Sequence, residues 1–417
     1  MMSDRNEAMT IELRLLVACA RVDPSPTGIE ALLAAPVDWT KFVQLAMDHG
    51  LVGLAGDTLR RCAADLIPDD LLDAFHKVVS QTRRRNTDLF RELADLVDGL
   101  ALAGIPAIPF KGPILAVQAF GDIGLRAFRD LDFLIRESDI SAAIAKLHEL
   151  GYIRAEDLTA VQFDLIHHVQ GQEIIFNQAN GTCIEPHSRL TSRKIALDID
   201  YDGLWARARP PAVMGRMMLT LAPEDELLTL AIHGGKELWW SLKWACDFAA
   251  FIASHPAIDW PAVVARAEAQ GCRRMLLLAA ALARRYFDST VPRATLAAAE
   301  ADHAIAPMMG RILTQWQADK AMGPHDNSTL SIDRMLLHDG MLRRIRFMLR
   351  TLLLPGPQYL ASLALPRGLS FAYIPLKLVN DLIALPLLQG FRHARLQLAR
   401  RWPNLGHPPS PGRPNRH

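Results

Sequence analysis

The residues best suited to chemistry lie in FRDLDFLI, Phe128 to Ile135, where two aspartates stand two apart inside an otherwise apolar run. A run of that length and composition reads as a strand, and side chains at i and i+2 on a strand share a face. Asp130 and Asp132 therefore project side by side while Leu131 turns the other way. Two carboxylates held that close repel each other unless a cation lies between them, and hard oxygen donors call for Mg²⁺ or Mn²⁺. Mg²⁺ prefers one or two protein carboxylates plus phosphate oxygens, so the pair points to a nucleoside triphosphate as the other ligand. A D-x-D also occurs at strand ends and as a helix cap with no metal, so its neighbours decide the reading.

A two-metal phosphoryl-transfer site needs a further carboxylate to position or deprotonate the attacking group. CIEPH offers Glu185, with His187 two residues on and on the same face if the strand stays regular past Pro186, where proline favours an edge strand or a bulge. His187 is either an orienting neighbour of the acids or a polar partner in the fold. Lys111 and Gly112 fall at a strand-to-helix junction, where backbone amides and a flexible glycine approach phosphate. Arg126 and Arg129 precede the aspartates and suit the neutralisation of triphosphate charge; the plainer alternative is a solvated loop partnering Asp122 or Glu137. Downstream, spacings of three and four put His233, Lys236, Trp240, Lys243 and Asp247 on one broad helical face, a candidate substrate-binding surface for the acceptor. Against that, Trp239 and Trp240 suit a core, and Lys243 with Asp247 suits an i,i+4 ion pair. His167 and His168 are adjacent, diverge on a helix and read as solvated or core.

The elements that must position these residues follow from periodicity. From Ile11 to about Leu102 apolar residues recur at helical spacing, with Asp38 a cap before Trp39. GIPAIPF reads as a strand and PILAVQAF as a helix with Pro113 in its first turn. SDISAAIAKLHELGY is an amphipathic helix capped by Ser138 or Asp139 and stopped by Gly151. GQEIIFNQANGTCIEPHSRL gives two β-prone runs around Asn180-Gly181, a hairpin. Helical periodicity returns from Leu221 to about Phe287 behind Pro223 and three acids, and the segment from Asp288 to about Asp339 reads as less regular. The expected organisation is α+β: an N-terminal helical region over 1–102, an α/β core with a small mixed sheet over 103–215, a helical domain over 216–345, an apolar C-terminal segment over 346–405 and a disordered tail over 406–417.

The order of strand, glycine-containing turn, helix, D-x-D strand and third acid resembles the nucleotidyltransferase fold of the DNA polymerase beta superfamily. FKGPILAVQAFGDIGLRAFRDLDFLI with AIAKLHELGY is similar to a bacterial family of uncharacterised nucleotidyltransferases, which shows a Lys-Gly turn, an arginine before the D-x-D strand, a helix ending in Gly-Tyr and a later acid two residues before a histidine. Glu185 and His187 match the last of these, and WTKFVQLAMDHGLVGLAGDTL and LAIHGGKELWWSLKWACDFAAFI extend the likeness into both helical regions. The resemblance implies a metal-dependent transferase that moves an NMP, most simply AMP from ATP, to an acceptor and releases pyrophosphate, with Asp130, Asp132 and Glu185 at the metal. It leaves the acceptor open among small metabolites, peptides, saccharide precursors and proteins. Much of the superfamily carries Gly-Ser or Gly-Gly where this chain has Lys111-Gly112-Pro113, and Pro113 supplies no amide. An inactive nucleotide-binding or regulatory protein on the same fold is one alternative; a D-x-D glycosyltransferase is a second, opposed by the helical first hundred residues.

Composition sets outer bounds. The 46 Lys+Arg nearly balance 45 Asp+Glu, so nothing global points to a nucleic-acid surface. Five scattered cysteines without CxxC spacing suggest a reducing cytoplasm and no structural zinc. The N-terminus carries acids and no apolar signal core, which speaks against secretion. TLLLPGPQYLASLALP is interrupted by prolines and short of the roughly 20 apolar residues of a spanning helix, and it fits either packing on the helical domain or a peripheral membrane contact.

Overall fold

The computed structural model describes residues 9–154, 158–318, 331–356, 359–360 and 363–380. The tail expected over 406–417, and the C-terminal segment beyond residue 380, lie outside the described residues. The fold is α+β and mostly helical, with one five-stranded mixed sheet and a small two-stranded one.

The first part holds α1 (Ile11–Cys19), α2 (Pro26–Leu33), α3 (Trp39–Asp48), α4 (Val52–Ala63) and α5 (Asp69–Leu102). Asp38 caps α3 as expected, its carboxylate accepting from Lys41 N. At 34 residues, α5 is about 50 Å long at 1.5 Å per residue, and it serves two cores. Phe75 near its start packs into a helical cluster, whereas Leu89 to Leu100 pack under the sheet.

Next come β1 (Ala107–Pro109), α6 (Gly112–Phe120), β2 (Asp130–Ile135), α7 (Ile140–Glu149), β3 (Tyr152–Arg154), α8 (Ala160–Gln170), β4 (Ile175–Asn177) and β5 (Cys183–His187). The sheet order is β1-β2-β5-β4-β3, with β2 parallel to β5 and the other pairs antiparallel. The hairpin around Asn180-Gly181 forms from β4 and β5. A short 3-10 turn over Glu137–Asp139 leads into α7, and Asp139 at its N-cap makes no side-chain cap bond. Pro186 does not lie at an edge: β5 is central. Its carbonyl accepts from Glu173 N at 3.2 Å, so its missing N–H also faces β4, where the ladder is broken between the Gln172↔His187 bridge and the Ile175↔Ile184 pair. The proline thus withholds one donor from β4 while its carbonyl still accepts, and the ladder lapses beside it.

After α9 (Tyr201–Arg207) and a two-stranded ribbon of β6 (Ala212–Val213) and β7 (Arg216–Met217), the chain is helical: α10 (Pro223–Lys236), α11 (Leu242–Ser254), α12 (Trp260–Gln270), α13 (Arg273–Phe287), α14 (Arg293–Ala301), α15 (Ile305–Gln317), α16 (Ile332–Leu336) and α17 (Gly340–Leu353), with a final described helix over Tyr373–Val379. The segment expected to be irregular thus contains α14 and α15. Helix α14 buries only Thr295 and Ala299, too thin a stripe to show a period, whereas α15 does carry one in Ile305, Met308, Ile312 and Trp316. Helices α1–α4, the start of α5 and α10–α15 share one apolar cluster, so the two helical regions meet although the sheet lies between them in sequence. Helix α6 joins both halves, with Leu115 and Ala119 in that cluster and Ile114 and Ala116 against the sheet. Among the described residues no helix is long and apolar enough to cross a membrane.

Candidate active site

Leu131, Phe133 and Ile135 are fully buried in the core under α5 and α7, which leaves Asp130 and Asp132 on the opposite face of β2. The parallel register Asp130↔Cys183, Asp132↔Glu185 and Leu134↔His187 puts Glu185 and His187 on that same face. Ligand atoms of Asp132, Glu185 and His187 lie within 4.8 Å of one another and could hold a metal ion, with Asp130 alongside on the strand.

Each of these side chains is held. His187 Nε2 meets Asp132 Oδ1 at 2.9 Å and Glu185 Oε2 at 3.6 Å, and its Nδ1 meets the Arg189 carbonyl at 3.3 Å. Both ring nitrogens face oxygens, the bonding of an imidazolium. Burial works against that charge, but the hydrogen bonds to Asp132 and Glu185 outweigh it and raise the His187 pKa. Gln172, at the start of the hairpin, donates to Glu185 Oε2 at 3.2 Å; sequence reasoning missed it, and only its register opposite His187 brings it there.

The carboxylates differ in their surroundings. Burial would raise Asp132, yet Lys111 and the bond from His187 bring it down to about 2. Burial, followed by the negative charges of Asp132 and Glu185, pushes Asp130 up. Such an unbalanced trio of hard oxygen donors is what a divalent cation fits.

The Lys111-Gly112 turn lies beside them. Lys111 takes φ 51° and ψ −141°, a conformation costly for a residue with a Cβ, and Gly112 follows at φ 42°, in the left-handed region that favours glycine. This bend brings the start of α6 against the Asp130 carbonyl. The loop from Gly121 to Arg129 is tied down on two sides: Asn86 Nδ2 donates to Ile123 O and Arg126 O at 2.7 and 2.9 Å, Arg85 donates to Phe128 O at 2.6 Å, and Lys243 Nζ donates to Ala127 O at 3.2 Å. Asn86 and Arg85 carry no signal in a helix sequence and were also missed.

Arg126 is buried, bonds both oxygens of Asp247 at 2.8 and 2.9 Å and reaches the Gly112 carbonyl at 3.4 Å. Asp247 therefore pairs across 121 positions with Arg126 and does not form the i,i+4 ion pair with Lys243. Arg129 is exposed at the rim, and Asp122 partners Arg83. Trp239 is fully buried, as expected of a core residue.

A cavity of about 1040 Å³ opens over this face and includes Lys111, Gly112, Arg126, Arg129, Asp130, Asp132, Glu185, His187, His233 and Lys243 in its lining. Asp247 stands behind Arg126. Burial and then Lys111 hold His233 well below its ordinary pKa, and its Nδ1 is buried with no hydrogen-bond partner among the described residues. Burial, with Arg126 nearby, lowers Lys243 to about 8. The arrangement is suited to gathering a polyphosphate and a hydroxyl beside buried carboxylates. His167 and His168 are elsewhere: His167 bonds Ser188 Oγ at 2.8 Å in a buried cluster on α8.

No curated protein matches the chain. Residues 35–288, which span both walls of the cavity, match the family model for an uncharacterised nucleotidyltransferase.

Proposed function

Because the chain belongs to the uncharacterised nucleotidyltransferase family, for which phosphoryl-group transfer is the implied activity, we propose that it moves an NMP, most simply AMP from ATP, onto an acceptor hydroxyl. The observation that carries this reading is the convergence of Asp130, Asp132 and Glu185 on one strand face beside Lys111 and Gly112. Asp130, Asp132 and Glu185 would hold Mg²⁺ or Mn²⁺, which when bound neutralises phosphate charge and polarises the α-phosphate.

The chain's own groups divide the remaining work. Gly112 and the first turn of α6 face the triphosphate, with Lys111 and Arg129 supplying positive charge. His187 fixes Asp132. Glu185 Oε2 is engaged by Gln172 and His187, which leaves Oε1 either to complete the metal site or to take the acceptor proton. The acceptor oxygen forms a bond to the α-phosphorus, the bond from that phosphorus to the bridging oxygen breaks, and pyrophosphate leaves with the electron pair. Arg126 acts as a positioning residue, because Asp247 already takes its charge and its reach to Gly112 O sets the turn.

The test is transfer of α-³²P label from each of the four NTPs, with Mg²⁺ or Mn²⁺, into a cleared bacterial extract. Label in a product with wild type and none with Asp130→Ala/Asp132→Ala supports the reading. No transfer, together with no metal-dependent NTP binding by calorimetry, sinks it.

A further inference from the structure

The carboxylates line one end of the cavity; its other arm runs between α3–α5 and the junction of α10 with α11. Val43, Met47, Ala74 and Val78 of α3 and α5 line it together with Trp240 and Trp244. Of the polar groups beside these walls, His49, Ser241 and Asp48 bond within the protein. His49 Nε2 meets Trp316 O at 2.9 Å, its Nδ1 accepts from Leu242 N at 3.0 Å, and Ser241 Oγ donates to His49 O at 3.2 Å. Asp48 accepts from Gln44. The arm thus offers mainly flat and aliphatic contact, with Thr82, Arg85 and Glu237 the further polar groups of the lining on these elements.

Between the arm and the acids stand His233, Lys236 and Lys243. Lys236, Lys243, Asp130, Asp132 and Glu185 line the same cavity, so a group at this neck faces the carboxylate end. His233 packs edge-on to Trp244 at 5.3 Å and keeps its Nδ1 unpartnered among the described residues. A ligand hydroxyl at the neck would lie against the His233 ring and the two lysines that line it, while an apolar body would fill the arm.

We propose that this arm is the acceptor subsite and that the acceptor is a hydroxyl compound with an aromatic or alicyclic body. The inference rests on the nucleotidyl-transfer reading and deepens it. It assigns Trp240 and Trp244 to the acceptor, and the Lys111-Gly112 end to the triphosphate.

The experiment is calorimetric titration of the full chain with 2-naphthol, with glucose and with ATP plus Mn²⁺, alongside inhibition of label transfer by 2-naphthol. Saturable 2-naphthol binding, no glucose binding and inhibition competitive with the extract acceptor are expected. Ala74→Trp fills the arm from an exposed position on α5, and it should weaken 2-naphthol by about tenfold or more while ATP affinity stays within about twofold. Val78→Thr, which adds a hydroxyl but no bulk, should act in the same direction and guards against misfolding of the first variant. The proposal is overturned if 2-naphthol does not bind, if glucose binds as well as it does, or if Ala74→Trp weakens ATP instead, which would give the arm to the base. Binding of 2-naphthol by a chain that binds no NTP with either metal would keep the apolar arm and defeat the transfer reading alone.

Discussion

At the contact between the loop before β2 and α11, Arg126 and Asp247 are each no more than 7% exposed and meet through two bonds of 2.8 and 2.9 Å. A few residues away, β2 and β5 bring Asp130, Asp132 and Glu185 onto one face with His187 and Lys111 as the nearest positive groups. Both places bury charge, and they do so in opposite ways. In the first, each charge finds its partner inside the chain, so the pair can fix a shape and does nothing further. In the second, like charges are gathered: Lys111 and His187 answer Asp132, but Asp130 is pushed up and left short of a counter-charge, an arrangement that costs stability and persists where something from outside completes it. The α10 site follows the first pattern: Asp225, 1% exposed, is held by Arg207 at 2.7 Å and Arg266 at 3.1 Å.

The largest effect should come from emptying the unbalanced site. Asp130→Asn/Asp132→Asn is expected to lower label transfer by more than about a hundredfold. Asp130→Asn alone, which removes the acid that burial and its neighbours push up, should leave thermal stability without divalent metal unchanged or raised. A clear loss of Tm in that single variant would break the contrast, since it would make this acid structural.

The paired site should respond the other way. Asp247→Ala strands a buried guanidinium and should cost about 3–5 kcal/mol in a denaturant titration, whereas Arg126→Met/Asp247→Leu, which removes both charges, should recover most of it. If the double variant is no more stable than the single one, the pair is not the source of the cost. The same double variant sharpens the functional side: loss of the Arg126 bond to Gly112 O should raise KM for the nucleotide by about tenfold, with a smaller change in kcat. An unchanged KM would leave Arg126 as a strut for the fold alone.

A smaller effect is expected at Glu226, a buried acid on α10 that belongs to neither pattern. Burial lifts it from 4.5 to about 7 despite the nearby Lys111, and its Oε1 has no hydrogen-bond partner among the described residues. The folded state therefore holds this proton more tightly than the unfolded chain does. Its contribution to stability is intact below pH 4.5, falls as pH rises to about 7 and levels off above. Tm measured from pH 5 to 8 should decline by roughly a few degrees, and Glu226→Gln should flatten that slope. An identical slope in the variant would assign the pH dependence to other groups.

The parts legible in advance were those set by near neighbours. Period-two spacing put Asp130 and Asp132 on one face, Asn180-Gly181 announced the hairpin, and Pro113 opened α6. Glu185 was found because it follows that hairpin turn. Gln172, Asn86 and Arg85 were not, because their partners lie 13, 37 to 40 and 43 positions away and a helix or loop sequence does not record which carbonyl or carboxylate it will meet. The irregularity expected of Asp288 to Asp339 failed at α14 because its buried face is made of a threonine and an alanine.

By itself, then, the sequence determined the local geometry of this protein: which residues alternate along β2, where helices begin and stop, and that two carboxylates stand side by side. Only the tertiary structure decided that β5 would lie beside β2 in the register Asp132↔Glu185, that Asp247 would answer Arg126 in preference to Lys243, and that helices from before and after the sheet would line one cavity. The physical reason is range. Backbone geometry and side-chain period act over a few residues, whereas the choice of partner for a buried charge or a strand edge is made by packing the whole chain at once, with every buried polar group competing for the same few positions.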